Sequence, residues 1–164
     1  MPVRSGRFHM KILLASTLLL AGSAIAAHAQ SFTFTSSTHT TNSLMISDGG
    51  TMQGAVFGEG MGEATYSNGA KTESHSTCAS WTPAPGGPFS VTGVCTYTEK
   101  GDDKASIAFS CINDANKKNE SDCWGGLRGI SGRYAGKTGT ISWHQKADAG
   151  DKGGTAMGTG MWND

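Results

Sequence analysis

Four cysteines are the side chains whose type and spacing constrain the chemistry of this sequence most strongly. They are Cys78, Cys95, Cys111 and Cys123. No two of them form a CxxC pair, and His75 near Cys78 has no second ligand beside it, so the spacing favours neither a zinc site nor a redox motif. We therefore expect no metal and no cofactor. An even cysteine count predicts disulfides if the chain enters an oxidising compartment.

The first 29 residues predict such an export step. Arg4, Arg7 and Lys11 precede an uncharged run, Ile12 to Ala27, which is shorter than the roughly 20 apolar residues of a comfortable membrane span. Ala27 and Ala29 are small residues placed as a signal peptidase requires. We predict a signal peptide over 1–29, a secreted or periplasmic protein over 30–164, and no membrane span after cleavage. A retained membrane anchor is the alternative.

Hairpin symmetry selects one of the three possible cysteine pairings. Cys78 and Cys95 are equidistant from the centre of the turn Pro85–Pro88, so they should face each other across that hairpin. Cys111 and Cys123 lie symmetrically about Lys117 in the same way. The sequence predicts disulfides Cys78–Cys95 and Cys111–Cys123.

Glycine stripes and two carboxylates mark residues 51–66 as the stretch most relevant to ligand binding. One phase of the alternation carries mainly glycine, as in Gly58, Gly60 and Gly62, and the other carries Glu59 and Glu63. If the glycine phase faces inward, it provides either curvature and close packing or room for a ligand. If the other phase faces inward, Glu59 and Glu63 are buried carboxylates, which are costly unless paired and point to function. The sequence leaves the phase open.

Aromatic and histidine side chains add weaker candidates. Trp143 is a candidate ligand contact, although tryptophans more often form the core or mouth of a barrel. His144 follows it in the opposite phase and is expected to face solvent. Neither Asp102–Asp103 nor the charged stretch 114–122 has a catalytic pattern, and both are expected to be solvated turns.

The elements that must position these residues are short strands. Alternation with a period of two, broken by Gly, Asn and Pro turns, predicts strands at 31–41, 51–66, 70–81, 90–99, 104–112, 123–130, 138–147 and 153–163. Asn68–Gly69 between two of them is a strong hairpin signal. No segment has a helical period. About eight strands joined by short turns predict a single all-β domain, an antiparallel up-and-down barrel that closes its own edges.

Residues 129–139, GISGRYAGKTG, form a glycine-governed corner between two of these strands. The corner resembles the G-G-T-G-x-[FY]-x-G-A-x-G turn of the allene oxide cyclase barrel-like and dirigent-like proteins, which are small calycin-like barrels. The matching positions are Gly129, Gly132, Tyr134, Gly136 and Gly139, whereas Ile130, Ser131 and Lys137 stand where the pattern has Gly, Thr and Ala. The resemblance implies an eight-stranded barrel, and in that family this signature marks the fold and not the active site.

Three classes of function remain open. The first is an exported barrel that binds a small apolar ligand or has no catalytic role. The second is an isomerase or cyclase of the allene oxide cyclase type, as the resemblance implies, although no catalytic residue of that family aligns with this chain. The third is a surface-interaction or structural protein. Without residues 1–29 the chain has 10 basic and 13 acidic residues, a net charge of −3, which gives no basis for nucleic-acid binding.

Overall fold

The chain folds into one closed eight-stranded antiparallel barrel, as the sequence predicts. The computed structural model describes residues 30–48, 51–83, 85–150 and 152–163. The predicted signal peptide, 1–29, lies outside the described residues. The strands are β1 Gln30–Asp48, β2 Thr51–Tyr66, β3 Lys71–Trp81, β4 Val91–Thr98, β5 Lys104–Asn113, β6 Glu120–Ser131, β7 Thr138–Ala147 and β8 Gly153–Asn163.

Each strand pairs with its neighbours in chain order, and β8 closes the sheet against β1. The predicted turn at Asn68–Gly69 connects β2 to β3, with Gly69 at a φ of 84° and its N–H bonded to the carbonyl of Tyr66 at 2.8 Å. A positive φ of this kind is readily adopted by glycine. The up-and-down order means that the turns Asn68–Gly69 and Gly101–Asp102 lie at one end of the barrel, together with the start of β1 and the end of β8.

The first strand is longer than predicted. The alternation that indicated a strand over 31–41 ends at a bulge between Thr40 and Asn42, where the register with β2 shifts by one residue. An extra residue exchanges the inner and outer phases, so a single alternating pattern cannot describe the whole strand. Beyond the bulge β1 continues to Asp48, and Leu44 and Ile46 become exposed.

Both predicted disulfides are confirmed. Cys78 lies directly opposite Cys95 on the β3–β4 ladder, and Cys111 lies opposite Cys123 on the β5–β6 ladder. The two bridges differ in environment, because Cys111 and Cys123 are buried whereas Cys78 and Cys95 are only partly so. Each bridge ties neighbouring strands on the inner face of the sheet.

The hydrophobic core is concentrated at the end of the barrel where β1 begins. Phe32, Tyr66, Leu127, Tyr134 and Trp162 are buried there in one cluster. The Tyr134 and Trp162 rings stack with centroids 4.6 Å apart. Tyr134 belongs to a single 3₁₀ turn, Gly132–Tyr134, inside the glycine corner. We call this the closed end, and the end formed by Ala147 and Gly153 the mouth.

The glycine corner is confirmed as a sterically required feature. A β-carbon at Gly129 would overlap the carbonyl oxygen of Tyr134, and Gly132 has a φ of 61°. The N–H of Gly129 donates to the carbonyl of Lys137 at 2.8 Å, which fastens the corner to the next strand. The corner thereby folds Tyr134 across the closed end.

The buried disulfide should stabilise the barrel more than the partly buried one. Each closes a loop of 12 or 17 residues, which corresponds to about 3 kcal/mol of chain entropy. Replacing Cys111 and Cys123 together by alanine should cost this amount plus a further loss from the space left in a buried site. The matched control is the Cys78→Ala, Cys95→Ala double variant. Urea unfolding measures both, and a larger loss for the control pair would contradict the expectation.

Candidate functional site

The even-numbered residues of β2 face the interior. Val56, Gly58, Gly62, Ala64 and Tyr66 all line the central space, which resolves the phase that the sequence leaves open. Glu59 and Glu63 therefore lie on the outer phase. The side chain of Glu59 is 45% exposed, with a carboxylate oxygen 4.0 Å from Nε2 of His39. Glu63 is exposed opposite Glu73 on β3 and borders the cavity only from the outer phase. Neither is a buried carboxylate.

Inside the barrel is a cavity of about 360 Å³ whose two walls differ in chemistry. The wall built from β5 and β7 is apolar and includes Ile107, Phe109, Ile141 and Trp143. The opposite wall, built from β1 to β3, includes Phe34 and Val56 but otherwise presents mainly small and hydroxyl-bearing residues toward the mouth. These are Ser36, Thr38, Gly58, Gly62, Ser74 and Ser76. A space lined in this way is a candidate binding site for a small molecule, because such sites are mainly apolar with a few placed polar groups.

The interior glycines serve close packing as well as space. A β-carbon at Gly60 would lie 2.7 Å from the carbonyl oxygen of Ser37 and 2.9 Å from Oγ of Ser76. At Gly62 the nearest atoms would be the Ser74 hydroxyl and the Thr35 carbonyl oxygen, both at 3.3 Å. Both interpretations of the glycine stripe therefore apply. The glycines pack closely against neighbouring strands, and they also line or adjoin the cavity.

Trp143, the aromatic candidate from the sequence, lies in the apolar wall of the cavity. Its ring packs edge-on against Phe109 with centroids 5.2 Å apart. The indole Nε1–H donates to Oε1 of Gln145 at 3.1 Å. These contacts fix the ring orientation and leave its surface as part of the wall.

A buried carboxylate, Glu99, lies at the closed end of the cavity and was not foreseen from the sequence. Only 4% of its side chain is exposed. Its Oε1 accepts hydrogen bonds from the hydroxyls of Tyr134 at 2.7 Å, Thr72 at 3.1 Å and Tyr66 at 3.4 Å. Its Oε2 is paired with Nη2 of Arg133. A buried charge is tolerated when it is both neutralised and hydrogen-bonded in this way.

Arg133 reaches Glu99 from the glycine corner and is held on several sides. Its guanidinium carbon lies 5.0 Å from the centroid of the Tyr66 ring and 4.8 Å from that of Tyr134, within the range of a cation–π contact. Asp103 accepts a hydrogen bond from the backbone N–H of Arg133 at 2.8 Å, and its other oxygen is 3.5 Å from Nε. The expectation that Asp102–Asp103 is merely a solvated turn is thus wrong for Asp103, because the corner folds back onto it.

Electrostatics keep the tyrosines of this cluster protonated. Burial raises the pKa of Tyr134, and its hydrogen bonds with Tyr66 and Glu99 raise it further. Burial also raises the pKa of Tyr66, against a lowering from its bond with Tyr134. Partial burial lowers the pKa of Arg133, but its charge interactions with Tyr134, Tyr66 and Glu99 outweigh this and raise it. The cluster therefore contains one carboxylate, one guanidinium and neutral phenols.

One signal in the sequence could have located this cluster. Tyr97 on β4 and Glu99 directly after its end are two residues apart in the same alternation, so a tyrosine and a carboxylate face inward together just before the turn at Gly101. The partner, Arg133, is 34 residues away and meets Glu99 only because the barrel closes. Local alternation carries no information about such a pairing.

On the outer surface near the mouth, His144 bridges two carboxylates. Its Nδ1 is 2.8 Å from Asp122 and its Nε2 is 2.9 Å from Glu120. These two hydrogen bonds raise the pKa of His144, and the bond with His144 lowers the pKa of Glu120. Lys117 also pairs with Glu120, at 3.3 Å. The stretch 114–122 was expected to be a solvated turn. Most of it is exposed, but Ser121 is buried, and Lys117, Glu120 and Asp122 take part in an ion-pair network with the outward-facing His144.

The outer face also carries exposed apolar side chains around the β1–β2 extension. Leu44 and Ile46 are more than 60% exposed, and Phe57, Trp81 and Val94 are each exposed by more than 40%. Phe57 lies opposite Ala79, which lies opposite Val94, so part of this set forms one row across β2, β3 and β4. This is a property of the outer surface and is separate from the cavity.

In the segments that the structure describes, no group of three or more His, Cys, Asp or Glu side chains is arranged to hold a metal ion. None of those segments forms a helix long and apolar enough to cross a membrane. A comparison with protein-family models finds no match for the chain, and a comparison with curated proteins finds no significant one. The site must therefore be interpreted from its own geometry.

Removing Arg133 should destabilise the barrel by leaving Glu99 as an uncompensated buried charge. Breaking such a pair costs about 3–5 kcal/mol when both partners are buried. Because the Arg133 side chain is 37% exposed, we expect about 2–4 kcal/mol for Arg133→Met in urea unfolding. Arg128→Met, at an exposed position of β6, is the matched control and should change little. The double variant Glu99→Gln, Arg133→Met should recover part of the loss, and strict additivity would contradict the pairing.

The His144 bridge should make stability depend on pH in a defined window. A raised pKa means that the contribution of His144 is complete below its unfolded value of about 6.5 and is lost as pH rises through the folded value. The lowered pKa of Glu120 means that its contribution is present above about 4.5 and is lost as pH falls through the folded value. The melting-temperature difference between wild type and His144→Gln should thus be largest near pH 5–6 and shrink at alkaline pH. An NMR titration of His144 should show a raised pKa that Glu120→Gln with Asp122→Asn returns toward 6.5, and a curve unaffected by that change would refute the bridge.

Proposed function

We propose that this protein is an exported disulfide-bonded barrel that binds one small, largely apolar molecule in its interior. The observation that carries the proposal is the cavity of about 360 Å³ behind the apolar wall of β5 and β7. Ligand pockets of this kind usually measure about 300–1,000 Å³. A small eight-stranded barrel has an interior that side chains can fill, so an unfilled interior needs an explanation.

Preorganisation supports the same function. The disulfide Cys78–Cys95 lies in the cavity wall, and the stacked rings of Tyr134 and Trp162 close one end. Because the walls of the cavity are already fixed by a disulfide and by packed side chains, few groups lose conformational freedom when a ligand binds. More of the contact free energy therefore appears as affinity. The mouth provides the entry path.

The proposed compartment follows from the cysteines and the leader-like segment together. Both disulfides suit an oxidising environment, where such bridges persist. The sequence pattern at 1–29 supplies the expected export signal. We therefore place the protein outside the cytoplasm, in a secreted or periplasmic location.

We also propose that the chain is a member of the allene oxide cyclase barrel-like group, on the basis of its glycine corner and its eight-stranded barrel. An acid–base isomerase in this barrel would require a proton-transferring group free to face the ligand. Glu99, which reaches the closed end, is already engaged by Arg133 and three hydroxyls. Binding is accordingly the better-supported function.

The exposed row near Leu44, Phe57 and Val94 is the basis of the interaction alternative. Exposed apolar side chains are common on soluble proteins, whereas an unfilled apolar interior is not. The cavity is therefore the stronger basis for a function.

Filling the cavity should abolish binding without unfolding the barrel. Ile107 lines the apolar wall, and Ile107→Trp should occupy the space and weaken binding of a neutral lipophilic fluorophore such as Nile red at least tenfold. Ile130→Trp adds the same side chain at an exposed site, 52% accessible, and should bind as the wild type does. Fluorescence titration measures both affinities, and melting curves verify that both variants fold. Equal binding by wild type and Ile107→Trp would refute an interior site.

A further inference from the structure

The hydroxyl of Tyr97, inside the cavity, differs in its hydrogen bonding from the hydroxyls of the other two tyrosines at the closed end. The hydroxyls of Tyr66 and Tyr134 are bound to each other and to Glu99. Tyr97 also lines the cavity, and its ring packs edge-on against Tyr134 with centroids 6.0 Å apart. Within the described residues its hydroxyl has no hydrogen-bond partner. A phenol in a largely apolar space normally finds one.

Glu99 accepts no hydrogen bond from Tyr97. Its Oε1 accepts from the hydroxyls of Tyr134, Thr72 and Tyr66, and its Oε2 accepts from Arg133. Since no described residue accepts from the Tyr97 hydroxyl, an acceptor for it would come from water or from a ligand.

A second hydroxyl lies beside it. Ser76 is directly opposite Tyr97 on the β3–β4 ladder, and both side chains face the cavity. Side chains of directly opposed residues on one face of an antiparallel ladder are close neighbours. Ser76 likewise has no side-chain partner within the described residues. The two hydroxyls form a pair at the boundary between the hydroxyl wall and the closed end.

The charges near Tyr97 and Ser76 determine which kind of acceptor these two hydroxyls can bind. Burial raises the pKa of Tyr97, and the nearby Tyr66 and Glu99 raise it further, so the group remains an O–H donor. The same negative charge of Glu99 disfavours an anionic ligand group. The guanidinium of Arg133, which could compensate an anion, is already engaged by Glu99, Tyr134 and Asp103. A neutral oxygen is the acceptor that fits.

We propose that Tyr97, with Ser76 beside it, is the hydrogen-bonding anchor for a neutral carbonyl oxygen on an otherwise apolar ligand, a ketone or an ester. The inference rests on the proposed function and specifies its ligand class. The carbonyl lies at the closed end of the cavity, and the apolar body lies against Phe109 and Trp143. Carboxylates of the same chain length bind more weakly, because Arg133 at the closed end is already paired with Glu99 and Lys146 borders the cavity only near the mouth.

A matched ligand series tests the assignment. Octane, 2-octanone and octanoate compete with Nile red for the full oxidised chain at pH 7, and inhibition constants are corrected for the affinity of each variant for the dye. Wild type should prefer 2-octanone over octane by about tenfold, near the upper range of a net neutral hydrogen bond, and should bind octanoate most weakly. Tyr97→Phe should remove most of the ketone preference and leave octane binding unchanged. Ser76→Ala should reduce the preference by a smaller factor.

The control is Thr96→Val, which removes a hydroxyl from the exposed neighbour of Tyr97 on the same strand and should leave the series unchanged. Melting curves establish that each variant folds, and the ketone-to-alkane ratio is insensitive to a uniform loss of folded protein. If all three ligands bind the wild type equally, if octanoate binds best, or if Tyr97→Phe keeps the ketone preference, the anchor is overturned while the interior site stands. If the wild type binds neither the dye nor any member of the series, the interior site and the anchor fail together.

Discussion

The closed end of the barrel depends on keeping the buried carboxylate of Glu99 neutralised and hydrogen-bonded. Arg133 supplies the charge, and it can do so because Gly129 and Gly132 allow a corner that a β-carbon at either position would obstruct. The same corner carries Tyr134, whose hydroxyl donates to Glu99 and whose ring stacks on Trp162. One short turn thus provides the counter-ion, a hydrogen-bond donor and the plug of the barrel. A change that disrupts this corner would therefore disturb both the packing and the charge neutralisation at the closed end.

The cavity in the rest of the interior results from an unequal distribution of side-chain volume between its two walls. Apart from Val56 and from Phe32, Phe34 and Tyr66 toward the closed end, strands β1 to β3 turn mainly small or hydroxyl-bearing side chains inward, whereas β5 and β7 turn in Ile107, Phe109, Ile141 and Trp143. Between the closed end and the mouth the large side chains of one wall therefore face mainly small ones, and the space between them stays open. Buried packing is concentrated at the closed end, and the two disulfides tie neighbouring strands. The mouth half is thereby left free to retain a cavity, which costs packing that a purely structural barrel would keep.

Local sequence patterns predicted most of the fold. Alternation located eight strands, and the symmetric spacing about Lys117 predicted Cys111–Cys123, because both depend only on neighbouring strands. The inward phase of β2 could not be predicted, since either phase mixes small and apolar residues and the choice depends on closure of the whole sheet. The pairing of Glu99 with Arg133 was missed for the same reason. Of the three ligand-contact candidates suggested by the sequence, Trp143 lies in the cavity wall, Glu63 borders the cavity from the outer phase of β2, and Glu59 is not among the lining residues.

The stabilising cluster and the candidate site are linked by the hydrogen bonding of the tyrosine hydroxyls. The chain has three tyrosines, and all of them reach the same end of the barrel. Glu99 accepts hydrogen bonds from two of the phenols, together with Thr72 and Arg133, but not from the third. Tyr66 and Tyr134 are the two that close the barrel. Tyr97 instead has its hydroxyl in the cavity without such a partner. The arrangement that stabilises the closed end therefore also leaves one phenol free to bind a ligand.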